Sequence, residues 1–173
     1  MSNDLEDRIK KYWNNQPCNI RHGTSELGTK DYFNQVSARR YRVEPHIAEF
    51  AGFHLWQGKR VLEIGCGIGS DGEEFAKHGA DYVGIDYSDQ SVAIARQRFE
   101  VLELEGEFHN IDASDLDGMN QLGKFDLVYS YGVIHHFPAI GTIIDNARSV
   151  LNTGGEFRFT VYRSEEHTSE LQS

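Results

Sequence analysis

Between Glu63 and Gly69 the chain reads Glu-Ile-Gly-Cys-Gly-Ile-Gly, directly after the apolar pair Val61-Leu62. Glycines let a backbone turn tightly, and without Cβ atoms they let a ligand come close. A dinucleotide fingerprint, G-x-G-x-x-G, would place glycine at position 70, where the chain has Ser70. The spacing is instead G-x-G-x-G with an acid two residues ahead. Asp86 follows Gly65 by 21 residues and ends a second apolar run, Tyr82-Val83-Gly84-Ile85. A carboxylate there can accept hydrogen bonds from ribose hydroxyls and would repel a ribose phosphate; it could equally open the next helix. Asp112-Ala113 follows a third, weaker run, where a sheet edge can frame a purine or an ordinary loop can pass. His135 and His136 come just after a fourth run at 125–130. An imidazole's pKa suits a general base, whereas the flanking Ile134 and Phe137 suit a packing or orienting role. Cys66, inside the glycine turn, reads as a small space-filler rather than a nucleophile. No His/Cys/Asp cluster has metal-ligand spacing, so no metal is expected.

Groups spaced in this way need elements to hold them, and from residue 59 onward the pattern is regular. Residues 60–64, 82–86, 106–111 and 125–130 read as short buried strands. Helical patterns separate them. One covers 70–78 and stops at Gly79; another is capped by Ser88, with Val92, Ala95, Phe99 and Leu102 on one face. A last helix carries Ile140, Ile143, Ile144, Ala147, Val150 and Leu151 and is predicted to stop at Gly154-Gly155, before a fifth strand over 156–162. Strand–helix alternation implies an α/β fold with a mostly parallel sheet covered on both faces. Residues 1–58 differ, with Tyr12, Trp13, Tyr32, Phe33, Tyr41, Phe50, Phe53 and Trp56 scattered among polar residues. Glu44-Pro45 ahead of Ile47, Ala48 and Phe50 predicts a helix with proline at its first position. This stretch reads as a helical cap, and as a lid if it also covers a ligand.

The chain has 173 residues, 39% of them hydrophobic, with 17 Lys+Arg against 27 Asp+Glu and a net charge of −10. Its length gives room for one domain. The acidic balance argues against nucleic acid and anionic membrane surfaces as partners. Two cysteines cannot make a disulfide framework. The polar opening residues and the lack of a long apolar run predict a soluble, cytoplasmic protein.

As an ordered set, these motifs resemble the class I S-adenosylmethionine-dependent methyltransferases, in their small-molecule branch. VLEIGCGIGSDG is similar to the family's first motif, GIDYS to its acidic second-strand end and IDA to its adenine-side motif. FDLVYSYGVIHHF and VLNTGGEFRFTVY are similar to its fourth- and fifth-strand segments. The stretch YWNNQPCNIRHG…ARRYRVEPHI resembles the N-terminal cap of a bacterial group. The resemblance implies a Rossmann-like sheet. It implies that Gly65, Gly67 and Gly69 line the methionine part of S-adenosylmethionine, Asp86 the ribose, and Asp112 and Ala113 the adenine. Glu63, Cys66, Tyr87 and Ser130 complete the expected cofactor set. A small-molecule methyl acceptor would lie near Tyr131 and, from the cap, Tyr12, Arg39 and Tyr41, with His136 or His135 as candidate base.

The expected organisation is a cap over 1–58, an S-adenosylmethionine-binding domain over 59–162 and a tail over 163–173. That tail resembles the translation of a sequencing adapter and is expected to be non-native. The family continues past its fifth strand with a helix and a strand pair, so the sheet is expected to lack its last strands. Two other readings compete: a non-catalytic S-adenosylmethionine-binding module or inactive fragment, and an NAD-dependent oxidoreductase, against which Ser70 counts.

Overall fold

Arg60–Ile64 (β1) is a short apolar run stopped by Gly65, and it forms the middle of a five-stranded parallel sheet. The computed structural model describes residues 2–15, 17–18 and 20–161, with backbone alone at 2–7 and 9. The other strands are Asp81–Asp86 (β2), Glu107–Asn110 (β3), Phe125–Tyr131 (β4) and Leu151–Thr160 (β5), in the order β3-β2-β1-β4-β5. Val61 stands opposite Tyr82 on one side and Leu127 on the other. Side chains alternate along a strand, so the sheet feeds two cores. Val61, Tyr82, Leu127 and Tyr129 pack beneath His46–Ala51 (α3), Ser70–Lys77 (α4) and Asp89–Val101 (α5). Leu62, Val83, Ile85 and Val128 pack beneath Leu116–Gln121 (α6) and Ile140–Ser149 (α7).

The helix starts follow local chemistry. Ser88 caps α5 by accepting a hydrogen bond from the Ser91 amide at 3.1 Å. Asp115 caps α6 through the Asp117 and Gly118 amides. α6 was not anticipated: it is only six residues long and carries Gly118 in its middle, which dilutes a helical pattern. In the N-terminal segment Ser2–Asn15 (α1) and Lys30–Val43 (α2) are each 14 residues long. Pro45 is the cap of α3 rather than its first residue.

The end of α7 departs from the sequence pattern. The helix stops at Ser149, and Leu151 already pairs with Phe125 in the sheet. Leu127 then pairs with Glu156, so residues 152–155 bulge out of the ladder. Gly154 supplies a φ of +81°, and the Asn152 side chain donates through Nδ2 to Asp126 Oδ1 at 3.0 Å. The glycine pair therefore marks a bulge inside β5, not a helix stop. The expectations for 162–173, including the non-native tail, lie outside the described residues.

Candidate functional site

The three glycines after β1 serve three purposes. Gly65 has φ +76°, and a Cβ there would fall 2.4 Å from Val133. Gly69, at φ +78°, precedes α4 and lets it approach α5; a Cβ would meet that of Ala95 at 3.3 Å. Gly67, at φ +52°, has no atom within 4 Å of where its Cβ would stand. That empty space belongs to a cavity of about 920 Å³, including its open mouth, beyond the carboxyl ends of β1, β2 and β4. Open α/β sheets bind ligands at this edge.

Asp86 locks the turn. Its Oδ2 accepts from the Gly67 amide at 2.9 Å and its Oδ1 from the Ser88 amide at 2.8 Å. Burial pushes its carboxyl above the usual aspartate range, and these two bonds offset the rise only in part. Of the residues expected around a cofactor, Glu63, Gly65, Cys66, Gly67, Asp86, Tyr87 and Ala113 line the cavity. Three do not. Gly69 is spent on helix packing. Asp112 turns its Oδ1 to the Ser114 amide at 2.8 Å. Ser130 is fully buried and donates to Ile64 O at 3.0 Å, tying β4 to β1. Burial also pushes the Cys66 thiol well up, consistent with a space-filling role.

Beneath the cavity lies a charged cluster that the sequence did not announce. Arg40 on α2 makes a bidentate pair with Asp71 on α4, Nε to Oδ1 and Nη2 to Oδ2, each 2.7 Å. The Tyr41 and Tyr129 hydroxyls also donate to Asp71, at 2.9 and 3.0 Å. Glu63 accepts from the Tyr82 hydroxyl at 2.5 Å. Burial, with the Asp71 charge nearby, holds its carboxyl well above the ordinary range. One guanidinium thus faces three carboxyl groups, of Glu63, Asp71 and Asp86, among the cavity-lining residues. With Asp71 paired to Arg40 and Glu63 pushed toward its neutral form, Asp86 is the lining carboxyl left to meet a cationic guest.

At the mouth, α1 comes down over the sheet edge. Asn14 donates to Asp89 Oδ1 at 2.7 Å, and the Trp13 and His136 rings meet at 5.5 Å. His136, Trp13 and Tyr131 line the cavity; His135 packs against His136, with ring centroids 4.0 Å apart, outside the lining. Tyr12 and Arg39 stand outside it too, and their neighbours Trp13 and Arg40 take the inward positions. Tyr41 reaches Asp71 from outside the lining. Tyr131 Oη lies 2.5 Å from His46 Nε2 and 3.2 Å from Glu44 Oε1. Neither of those two partners was singled out as a site residue from the sequence, although both lie in the stretch ARRYRVEPHI that resembles the cap.

The curated relatives include the ubiquinone biosynthesis O-methyltransferase of Bordetella avium, 32% identical over 109 residues, which cover 63% of this chain and 44% of that protein. The enzyme of the same name from Acinetobacter baylyi is 32% identical over 104 residues, 60% of this chain and 43% of the relative. The chain therefore spans less than half the length of these relatives. Among solved structures, the magnesium protoporphyrin IX methyltransferase of Synechocystis, crystallised with bound SAM, superimposes with a TM-score of 0.65. It is 24% identical, and the match covers 86% of this chain and 73% of that one. The N-methyltransferase NodS of Bradyrhizobium japonicum gives 0.59 at 20% identity, over 91% and 71% of the two chains. These two likenesses are of fold. The family described as "Methyltransferase domain" matches residues 62–157, from within β1 to within β5, a span that takes in the glycine turn, Asp86 and the strand ends around the cavity. On that match, over more than half its length, this chain belongs to the methyltransferase domain family.

Proposed function

We propose that the chain binds S-adenosylmethionine in the cavity beyond β1, β2 and β4 and transfers its methyl group to a hydroxyl of a small molecule. The observation that carries the reading is the open space facing Gly67, floored by the glycine turn and flanked by Asp86. A side chain at 67 would fill it. Asp86 would take the ribose hydroxyls, Ala113 and Ile111 would lie against the adenine, and Tyr87 would flank the two. The Asp86 carboxylate also suits the donor's positive charge. Hydroxyl as the acceptor class is supported by the name that the Bordetella and Acinetobacter relatives share.

When bound, S-adenosylmethionine supplies a methyl carbon already activated on a sulfonium. The chain's task is then alignment and exclusion of water, and well-aligned reactants can gain roughly 7–11 kcal/mol. Gly65 and Gly67 let the backbone approach closely, and Trp13 with His136 closes the mouth. The acidic balance of the whole chain keeps polyanions away. No described helix is long and apolar enough to cross a membrane.

Calorimetry with S-adenosylmethionine and S-adenosylhomocysteine tests the reading. Wild type should bind both. Asp86→Ala should weaken binding by about 1.5–3 kcal/mol, the contribution of a charged hydrogen bond. An unchanged dissociation constant would take Asp86 out of the ribose site, and absence of binding by wild type would sink the proposal.

A further inference from the structure

Methylating a hydroxyl requires its proton to leave, and the lining offers a hydrogen-bonded route for it at Tyr131. The geometry points to Tyr131, His46 and Glu44 as a proton relay from the acceptor to solvent, with its terminal base on α3 rather than at the histidine pair after β4. The inference rests on the methyl-transfer reading above and names the groups that serve the acceptor.

Tyr131 ends β4 and lines the cavity beside Trp13 and His136. Its hydroxyl stands 2.5 Å from His46 Nε2 and 3.2 Å from Glu44 Oε1. His46 is exposed, so a proton taken up there has water beside it. Tyr131 thus lines the cavity while its hydroxyl contacts an imidazole at the surface. The surroundings keep it in place. Arg40 lies over the Tyr131 ring at 5.4 Å while pairing with Asp71, and it approaches Glu44 Oε2 at 3.5 Å. Phe50 packs on the same ring at 6.1 Å. Among the described residues, the charged and titratable groups around the relay include Arg40, Glu44, His46 itself and His22, which lies within electrostatic reach of Arg40 and Glu44.

The step balances without a further reactant. The acceptor oxygen gives an electron pair to the methyl carbon as the carbon–sulfur pair leaves with sulfur, which becomes a neutral thioether. The acceptor's proton passes to Tyr131 Oη as the tyrosine's own proton, donated to Glu44 Oε1 at rest, turns and passes to His46 Nε2. The positive charge that began on sulfur ends on the imidazolium, beside the Glu44 carboxylate. His136, in this scheme, shapes the mouth and takes no proton.

The probe is catechol, a small neutral phenol, assayed with S-adenosylmethionine by formation of its monomethyl ether across a pH series. S-adenosylhomocysteine binding is measured by calorimetry on the same preparations. Wild type should methylate catechol, with an acid limb in its pH–rate profile. His46→Ala should lose that limb and slow turnover roughly 10²–10⁴-fold, the usual worth of general-base catalysis. Added imidazole should restore much of the rate, because position 46 is open to solvent. Tyr131→Phe should slow turnover comparably, resist imidazole, and leave S-adenosylhomocysteine affinity unchanged; His136→Ala should keep the acid limb. Turnover by His46→Ala at the wild-type rate, or a lost rate that imidazole does not restore, would overturn the relay. So would wild type that binds S-adenosylhomocysteine but leaves catechol unmethylated, with the cofactor reading intact. Loss of S-adenosylhomocysteine binding by wild type would instead remove the cofactor reading and the relay with it.

Discussion

Two carboxyl groups in the cavity wall are pushed in the same direction for different uses. Glu63 is buried, carries Asp71 nearby and takes a hydrogen bond from Tyr82, and its carboxyl sits well above the ordinary glutamate value of about 4.5. In the unfolded chain it ionises near that ordinary value, so above it the folded state holds the extra proton. Folding stability therefore falls as pH rises from about 4.5 through the folded value, and levels off beyond it. Glu63→Gln keeps an acceptor for Tyr82 and removes the ionisation. Thermal unfolding across pH should show the variant gaining on wild type over that window and staying ahead at neutral pH. A constant difference across the series would mean that Glu63 stays charged in the fold. Asp86 is also raised by burial, but here the ionised form is the one that suits a sulfonium and ribose hydroxyls. Affinity for S-adenosylmethionine should fall on acidification at a pH above the ordinary aspartate range, and Asp86→Asn should bind weakly with that pH dependence gone. The residue types at 63, 65, 67 and 86 are legible in sequence because spacing alone brings them to one strand edge. Asp112 and Ser130 show the limit: a short polar side chain can turn to its own backbone, and nothing in its spacing says which way it turns.

At the scale of elements, the N-terminal helices are held by a latch rather than by periodicity. Arg40 and Asp71 are nearly buried, with side chains 11% and 1% exposed, and the pair joins α2 to α4. Around it Ser37 donates to Glu73 Oε2 at 2.9 Å, and Arg98 donates to Phe33 O at 3.3 Å. Breaking a buried pair leaves one charge uncompensated, at a cost of about 3–5 kcal/mol. Asp71→Asn should lower stability by that order in denaturant unfolding. A loss below about 1 kcal/mol, the level of an exposed pair, would show that water reaches Arg40. The same helices explain what the sequence hid. The sequence pointed to Tyr12 and Arg39 where their neighbours Trp13 and Arg40 face the cavity, because consecutive helix residues point about 100° apart. Choosing between them needs the packing partner, and that partner, Asp71 or His136, lies far along the chain. Strands β1, β2 and β4 were legible because their buried runs are bounded by glycine or an acid. The start of β5 was not, because Val150 and Leu151 continue an apolar helical face while already turning into the sheet.

At the scale of the molecule, the sheet has helices on both faces and, among the described residues, two edge strands, β3 and β5. β3 is short, at four residues, which limits what it offers to another chain. β5 is ten residues long and, among the described residues, pairs only with β4. Phe157 and Phe159 lie on one face with ring centroids 4.8 Å apart, and Phe159 and Val161 are 38% and 50% exposed. Long edges with apolar side chains invite pairing with a second chain. Glu156 and Arg158 oppose this from the other face, paired with each other at 2.7 Å. Arg158 also holds the backbone of α3 through Phe50 O and Ala51 O, so the charge cannot swing freely to guard the edge. The apolar edge should prevail, and the 173-residue chain should self-associate as its concentration rises, by light scattering and by sizing. Phe159→Lys places a charge on the apolar side of the edge at a side chain that is itself exposed. It should shift the chain to monomer with little change in melting temperature. A wild-type chain that stays monomeric at every concentration would show that the Glu156–Arg158 pair and the bulge at 152–155 are enough to blunt β5.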